Sequence, residues 1–238
     1  MAISDILNFT ETPIIDEGIE RYEFHEYEPI AHTNLNREGE KIINIEQQDL
    51  FTLPSEAFLL FEGRSLKADG TAYANADAVS LTNNGIMHLF SQITYQLSNQ
   101  EVESVYHPDS ATTGVLADNS GFAIRQAYIV QKPTTKETFS FSIPLKHIFG
   151  FCDDYNKVIY GFKHTLTLVR KSDDDAIFRV AAVAAGQVNF DKISLFIPHA
   201  IPSDVERNNL YKAIESKVTL PVTFRSRQFY NLLHLLGD

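Results

Sequence analysis

The sequence predicts an all-β protein, a jelly-roll β-sandwich with short helices in its connections. Segments in which apolar and polar residues alternate, the period of a half-buried strand, recur from residue 41 onward. A helical period is sustained in only one later segment, after Ser203. Parallel βαβ winding needs a helix of about ten residues between successive strands, so about eight or more strands without such helices favour an antiparallel sandwich.

Composition bounds the class of protein. With 238 residues, 44% hydrophobic content and 17 phenylalanines, the chain can fill one large core or two smaller ones. No run reaches the ~18 apolar residues of a membrane span, and the first residues lack the basic start of a secretory signal. The formal charge of −11 argues against neutralising nucleic-acid phosphates, and a single cysteine excludes an internal disulfide. We expect an intracellular, non-secreted protein without direct nucleic-acid or membrane binding.

The acidic residues are concentrated near the N-terminus. Residues 1–39 hold nine acids and two bases, so −7 of the net −11 lies there. This segment has no sustained period of either kind, which predicts an extended acidic arm that is ordered only where something packs on it. The jelly-roll domain is then expected to span residues 40–200.

Several segments predict individual strands. Residues 57–61 (AFLLF) are apolar throughout, which indicates a strand buried on both faces. Residues 138–143 alternate strictly, and Pro144, which cannot donate to a sheet, marks the end of that strand. A similar alternation runs over residues 162–168. Asp69-Gly70 predicts a hairpin turn, since glycine accepts the positive φ of a tight turn.

The later segments predict a bent strand and a helix. Residues 176–185 are compatible with a strand, although their five alanines leave a helix open as the alternative. Between residues 188 and 197 the apolar phase slips by one, which predicts a β-bulge near Asp191-Lys192. Ser203 is suited to cap a helix with an apolar stripe that includes Val205 and Ile214.

Residues 85–104 (GIMHLFSQITYQLSNQEVES) change period halfway through. The first part has helical spacing, and the second alternates Ile93, Tyr95 and Leu97 with polar residues before a polar turn. This pattern predicts one helical turn that leads directly into a strand and a hairpin.

No residue set in the sequence predicts catalysis, a metal site or a bound cofactor. The spacings of phosphate-binding loops, nucleophile elbows, zinc sites and calcium loops are all missing from the sequence. Cys152 with His147 and Asp153-Asp154 forms a weak nucleophile candidate, but the apolar surroundings indicate an inert buried cysteine. Asp173-Asp174-Asp175 is a weak cation candidate, for which a solvated loop is the better interpretation.

The histidines do not form a convergent set either. His164 lies in phase with Leu166 and Leu168, which predicts an inward, hydrogen-bonded side chain whose replacement by leucine is nearly neutral. His88 has no second histidine at ligand spacing and is interpreted as a helix-turn side chain against the sheet edge.

Four ordered motifs carry a resemblance to a known family. They are TNNGIMHLFSQITYQLSNQEVE, FSFSIPLKHIFGF, YGFKHTLTLVRKSDDDAIFR and KISLFIPHAIPS. With them, roughly residues 20–228 resemble the double jelly-roll major capsid-like proteins of Polinton-type elements and adintoviruses, copies of which lie in invertebrate genomes. The resemblance implies a structural, non-enzymatic virion protein whose chains, with two jelly rolls each, form homotrimeric capsomers beside other capsid proteins.

The length departs from that family pattern. Residues 201–238 hold the connector helix and, after it, only the start of a second roll, so we expect a truncated or decayed endogenous copy. Its apolar tail, Leu232 to Leu236, is expected to drive self-association into small oligomers or aggregates. Jelly rolls also occur in lectin-like binding modules and, less compatibly with these histidines, in cupin metalloenzymes, and both stay open as alternatives.

Overall fold

The computed structural model of the protein describes residues 18–30, 35–106, 121–131, 137–216 and 222–225. The strands in these residues are β1 (Ile19–Tyr27), β2 (Gly39–Ile45), β3 (Phe58–Lys67), β4 (Val79–Leu81), β5 (Phe90–Leu97), β6 (Gln100–Tyr106), β7 (Thr138–Pro144), β8 (His164–Arg170), β9 (Ile177–Arg179) and β10 (Gly186–Pro202). The helices are α1 (Gly85–His88), α2 (Phe122–Ile129), α3 (Gly150–Asp154) and α4 (Asp204–Glu215), with 3-10 turns at Pro54–Glu56 and Leu145–His147.

Two four-stranded antiparallel sheets form the body of the molecule. The first sheet has the order β1-β10-β3-β7, and the second has the order β2-β8-β5-β6. The chain passes back and forth between the two sheets, and β4 pairs separately with β9. This connectivity is that of a jelly roll, so the predicted all-β fold class is confirmed.

The core lies between the inner faces of the two sheets. Alternation in each strand turns one set of side chains inward, for example Leu59 and Phe61 on β3, which are fully buried. Phe61, Phe90 and Phe190 meet at the centre with ring centroids 5.7 to 6.0 Å apart. The abundant phenylalanines of the sequence thus fill the space between the sheets.

The predicted helix-to-strand unit is confirmed. Helix α1 is a single turn, and β5 begins two residues after it and pairs with β6. Ser98 and Asn99 connect the two strands with φ values of 46° and 66°. Two positive φ values in a two-residue connection match the twist of the flanking strands, which explains why the polar residues lie there.

The predicted β-bulge also lies in the expected place. The register between β10 and β3 shifts between Phe190 and Lys192. Gly63 lies opposite, where an added Cβ would come within 2.4 Å of the Asn189 carbonyl oxygen. The bulge therefore depends on a glycine in the facing strand as well as on its own apolar phase slip.

Other local predictions hold with changes. Strand β7 ends at Pro144, and α4 begins after Ser203, whose hydroxyl accepts from the Glu206 backbone N–H. Within residues 57–61, Phe58 and Leu60 are only half-buried. The prediction that this strand is buried on both faces is therefore wrong. Gly70 does adopt a positive φ of 81°, but the turn does not join two paired strands.

Three segments differ more clearly from the sequence-based predictions. Phe162 precedes β8 and is 46% exposed, because the strand begins only at His164. In residues 176–185 the strand is limited to β9, and the alanine-rich remainder is a turn, so the helix alternative is wrong. Helix α2 was not predicted; it follows Gly121 at a φ of 72° and has no side-chain cap to mark its start.

Part of the acidic N-terminal segment lies on the sandwich. Strand β1, residues 19–27, pairs with β10 along its length, and Glu26 forms an ion pair with Lys192. β10 thus supplies the packing surface on which an otherwise unpatterned acidic segment is ordered. Residues 1–17 and 31–34 of the predicted arm, and most of residues 217–238 at the predicted start of a second roll, lie outside the described residues.

Candidate functional site

His164 is the centre of a buried polar cluster at one end of the sandwich interior. Its side chain is 2% exposed, with Nδ1 2.6 Å from the Tyr95 hydroxyl and Nε2 2.9 Å from Thr52 Oγ1. Thr52 Oγ1 also donates to the Ile159 carbonyl oxygen at 3.2 Å. His164 therefore points inward with hydrogen-bond partners, as its strand phase predicts, although sequence reasoning did not identify the partners.

The hydrogen bonds of the cluster assign the tautomer of His164. Because the single Thr52 hydroxyl proton goes to Ile159, Thr52 accepts from His164 Nε2–H, and Tyr95 donates to Nδ1. Protonation of Nδ1 would deprive the Tyr95 hydroxyl proton of this acceptor. Burial, with a smaller effect from His199, lowers the pKa of His164 to about 4, so the imidazole is neutral near pH 7.

A pair of histidines, His25 on β1 and His199 on β10, forms a second polar feature. The rings of His25 and His199 are stacked, with centroids 4.0 Å apart, and the Tyr27 hydroxyl is 3.2 Å from His199 Nε2. Burial, with a smaller effect from His25, lowers the pKa of His199 to about 4. The pair borders a shallow cleft of about 340 Å³ that Arg21 and Arg207 also line. Two acids, Glu23 and Asp49, line the cleft beside the two arginines, so it has no single charge preference.

The candidate nucleophile set is not assembled. Cys152 is 1% exposed in the core, and burial, with Glu103 as a smaller cause, raises the pKa of its thiol. His147, by contrast, is exposed and lines a surface cleft. A neutral, inaccessible thiol and a surface histidine are poorly suited to act together.

The three aspartates at 173–175 are not a simple solvated loop. Asp173 pairs with the buried Arg170 and accepts from the Val188 backbone N–H at 3.0 Å. Asp175 pairs with Lys171 at 2.7 Å. Desolvation raises the pKa of Asp173 despite its pairing with Arg170. Two of the three carboxylates are thus used to fix the connection between β8 and β9.

A cleft of about 730 Å³ opens between β6 and β7. His88, on α1, lies in the wall of this cleft. His147 and Arg125, from other elements, line the same wall. Most of the lining is apolar and comes from Leu81, Ile86, Met87, Val105, Phe141, Ile143 and Ile148. An apolar lining of this size fits side chains of a protein segment or an apolar ligand better than it fits a reacting polar substrate.

A row of aromatic side chains crosses the outer face of the first sheet. Tyr22 and Phe24 on β1 have ring centroids 5.9 Å apart, Phe24 lies 5.8 Å from Phe58, and Phe58 stacks on Phe196 at 5.0 Å. Tyr22 and Phe24 are 43% and 49% exposed. This aromatic row (Tyr22, Phe24, Phe58, Phe196) is a contiguous apolar surface next to the sheet edge formed by β1.

Residues 222–225 return to the sandwich and dock on α3. Arg225 binds Asp154 with both side-chain and backbone nitrogens, at 2.6 Å for Nη2 and 2.7 Å for the amide. Phe224 packs edge-on against Phe151 with centroids 5.1 Å apart. An ideal Cβ at Gly150 would lie 1.9 Å from the Arg225 carbonyl oxygen. The close approach of the two segments therefore requires glycine at position 150.

Gly150→Ala is expected to release residues 222–225 from α3. The new methyl group must displace the Arg225 backbone, so the Arg225 amide loses its bond to Asp154 and exchanges hydrogen roughly tenfold faster or more. Hydrogen-exchange mass spectrometry measures this, with Asn156→Ala, at an exposed position just after α3, as the control. Unchanged exchange at Arg225 in Gly150→Ala would show that the contact is not formed.

Two further observations concern the described part of the chain. Within it, no group of three or more histidine, cysteine, aspartate or glutamate residues is placed to hold a metal ion. The helices that it contains are too short or too polar to span a membrane.

Comparison with known proteins identifies the family. A model described as "Double jelly roll-like domain" matches residues 79–236, about two thirds of the chain. The chain belongs to this family. The match to this double jelly roll-like family begins later than the resemblance seen in the sequence and extends to residue 236, so it includes the tail after Gln228. No curated protein matches the chain.

Two solved structures are similar to this double jelly roll-like protein. The Faustovirus major capsid protein has 9% sequence identity and a TM-score of 0.48, with 90% of this chain and 60% of that chain covered. The VP54 protein of PBCV-1, fitted into a cryo-EM reconstruction of the virophage Sputnik, has 10% identity and a TM-score of 0.46. That comparison covers 79% of this chain and 44% of the other. The chain thus spans less than two thirds of the length of either protein.

Proposed function

We propose that this protein is a capsid-like structural protein that acts by associating with other protein chains, foremost copies of itself, and not as an enzyme. The observation that carries the proposal is the exposed aromatic row on a jelly roll of the double jelly roll-like family. Aromatic residues are enriched at protein interfaces because they bury large areas at low entropic cost. Strand edges and sheet faces are the surfaces that a shell protein uses for lateral contacts.

The chemistry of the interior supports the same proposal. The best-developed polar cluster, around His164, is sealed inside the sandwich with its hydrogen bonds satisfied. Such a cluster fixes the fold and presents no group to a substrate. A lectin-like module needs aromatic and polar residues together in a groove, whereas the aromatic row lies on an open sheet face.

The resemblance to Polinton-type and adintovirus proteins adds finer proposals. We infer a homotrimeric capsomer, contacts with other capsid proteins, and a location in the virion. We also infer descent from a double jelly-roll capsid lineage, with this sequence an endogenous copy. The position of the aromatic row beside the β1 edge supports lateral self-association, because both features belong to one exposed surface.

Phe24→Ser is expected to weaken self-association. Phe24 is 49% exposed, so the change removes apolar contact surface while the core stays filled. At an interface hot spot this loss weakens the association constant by roughly tenfold or more. Sedimentation velocity over a range of protein concentrations, with negative-stain electron microscopy, measures the effect.

Ile124→Ser serves as the control, because Ile124 is an exposed apolar residue on α2, away from the aromatic row. Its association should equal that of the unmodified chain. A chain that stays monomeric at all concentrations would argue against the structural role. Equal weakening by both variants would argue against the aromatic row as the contact.

A further inference from the structure

Strand β1 forms one edge of the first sheet. Within the described residues it pairs with β10 alone, so its other long side is open. Seven of its nine residues are exposed, which leaves that side accessible to another chain. An edge strand in this position offers its backbone N–H and C=O groups as a template for a further strand.

The hydrogen bonds of β10 show which β1 residues direct their backbone groups to the open edge. Residues 51–53 lie along β10 on the side away from β1. There the Pro198 carbonyl oxygen accepts a hydrogen bond at 3.0 Å, and the Ala200 N–H donates one at 2.8 Å. The N–H and C=O of a strand residue point to the same side, so neither residue bonds to β1. Phe24 and Tyr22, which lie opposite them, therefore direct their own backbone groups to the open edge.

The outward-directed set is Tyr22, Phe24 and Glu26, because this direction alternates along a strand. The set is symmetric about Phe24. A second β1 laid antiparallel along the edge satisfies all three residues of both strands when Phe24 lies opposite Phe24 of the second copy. Tyr22 of each copy then lies opposite Glu26 of the other, and each of these opposed pairs exchanges two hydrogen bonds.

Charges on the inner face of β1 select the same register. With Phe24 at the centre, Glu23 of each copy lies opposite His25 of the other. These two side chains already approach to 3.5 Å within one strand, so a second imidazole suits the same carboxylate. A register centred on Glu23 would oppose two carboxylates where the side chains are closest. A register centred on His25 would oppose Tyr22 to Glu28, which lies beyond the strand.

The outer face favours this register through its aromatic row. Phe24 lies 5.8 Å from Phe58, which stacks on Phe196 at 5.0 Å. When Phe24 lies opposite Phe24 of the second copy, the aromatic rows of both molecules become continuous across the axis. Glu26 forms an ion pair with Lys192 of its own chain, so folding reduces the negative charge of β1 before the strands meet.

We propose that β1 pairs antiparallel with β1 of a second copy about a two-fold axis at Phe24, which joins the two first sheets into one eight-stranded sheet. The inference rests on the proposed structural role, because it specifies one contact through which the chain associates with itself. A two-fold contact cannot lie inside a three-fold trimer, so it joins chains of two different capsomers.

Single cysteines on β1 test the register. Phe24→Cys places two thiols at the axis, where opposed Cα atoms are about 5.5 Å apart, within the range of a disulfide. Mild oxidation is expected to yield a crosslinked dimer. In Tyr22→Cys the two thiols are four residues apart along the paired strands, about 13 Å, so this variant should stay uncrosslinked. Tyr22 is 43% exposed and Phe24 is 49% exposed, which makes the two variants a matched pair.

Mixed chains test the pairing of Tyr22 with Glu26. Tyr22→Cys chains mixed with Glu26→Cys chains should crosslink as a heterodimer, roughly tenfold more than either variant alone. Both positions are exposed, so cysteine there leaves the core filled. The native Cys152 is 1% exposed, and burial raises the pKa of its thiol, so it does not interfere.

Three results would overturn the proposal. Equal crosslinking of the Phe24→Cys and Tyr22→Cys variants would exclude this register. If sedimentation velocity shows that the unmodified chain associates, but Phe24→Cys does not crosslink, the β1 contact is wrong and the proposed structural role stands. A chain that stays monomeric at all concentrations would reject both.

Discussion

His164→Leu is expected to destabilise the fold by about 2–4 kcal/mol, more than Phe141→Ala. Strand phase alone predicts a nearly neutral change, because leucine fits an inward position. The structure alters the expectation, because the fully buried Tyr95 hydroxyl would lose its acceptor at Nδ1 and Thr52 would lose a donor. Phe141 is only half-buried, so its truncation leaves a smaller cavity than a core phenylalanine would.

Urea denaturation of both variants at pH 7.5 measures the difference. Tyr95→Phe in the His164→Leu background removes the orphaned hydroxyl and is expected to restore at least about 1 kcal/mol, although Tyr95→Phe alone is destabilising. If the two changes were additive, the hydrogen bond between these side chains would not contribute to stability. A His164→Leu variant that is more stable than Phe141→Ala would contradict the ranking.

Lowering the pH from 7.5 to 4 is expected to cost the protein about 3 kcal/mol of unfolding free energy through His164 alone. The pKa of His164 is lowered from 6.5 to about 4 in the folded state, so the unfolded chain binds the proton first. This contribution is complete above pH 6.5 and is lost as the pH falls through the interval to 4. At pH 5 about 2 kcal/mol of it is gone. His199, whose pKa is also lowered to about 4, acts in the same direction.

Urea titrations at pH 7.5, 6, 5 and 4 trace this dependence. The His164→Leu/Tyr95→Phe variant lacks the titrating group, so its stability should fall less over the same interval. If the variant and the unmodified chain lost stability in parallel, the pKa of His164 would not be lowered by folding. The comparison is a difference of slopes and does not require equal stability at pH 7.5.

The elements that sequence predicted correctly are specified locally. The turn at 98–99, the end of β7 at Pro144, the bulge near Asp191 and the cap at Ser203 each depend on a few adjacent residues. Backbone sterics and hydrogen-bonding capacity of those residues decide the conformation without reference to the rest of the chain.

What the sequence did not reveal is mostly long-range. His164 binds Tyr95 and Thr52, 69 and 112 residues away, and no local pattern marks these partners. Helix α2 has no side-chain cap at its start, and it is held by contacts such as that of the Gln126 side-chain amide with the Asp77 carbonyl oxygen. The cleft between β6 and β7 arises from two sheet edges that only the tertiary fold brings together. Tertiary packing determines these features, and the local secondary-structure propensity of the residues does not.

The pairing of β1 with β10 has a consequence for synthesis on the ribosome. Ile19 lies opposite Pro202, so β1 waits for almost the whole roll to be translated, on the order of tens of seconds. Throughout that time its aromatic residues Tyr22 and Phe24 lack their sheet neighbour. Glutamates at 20, 23 and 26 outnumber the single base of the strand, Arg21, so each nascent strand carries a net negative charge that opposes contact between chains. We therefore expect the acidity of this segment to keep nascent chains apart before β1 pairs with β10.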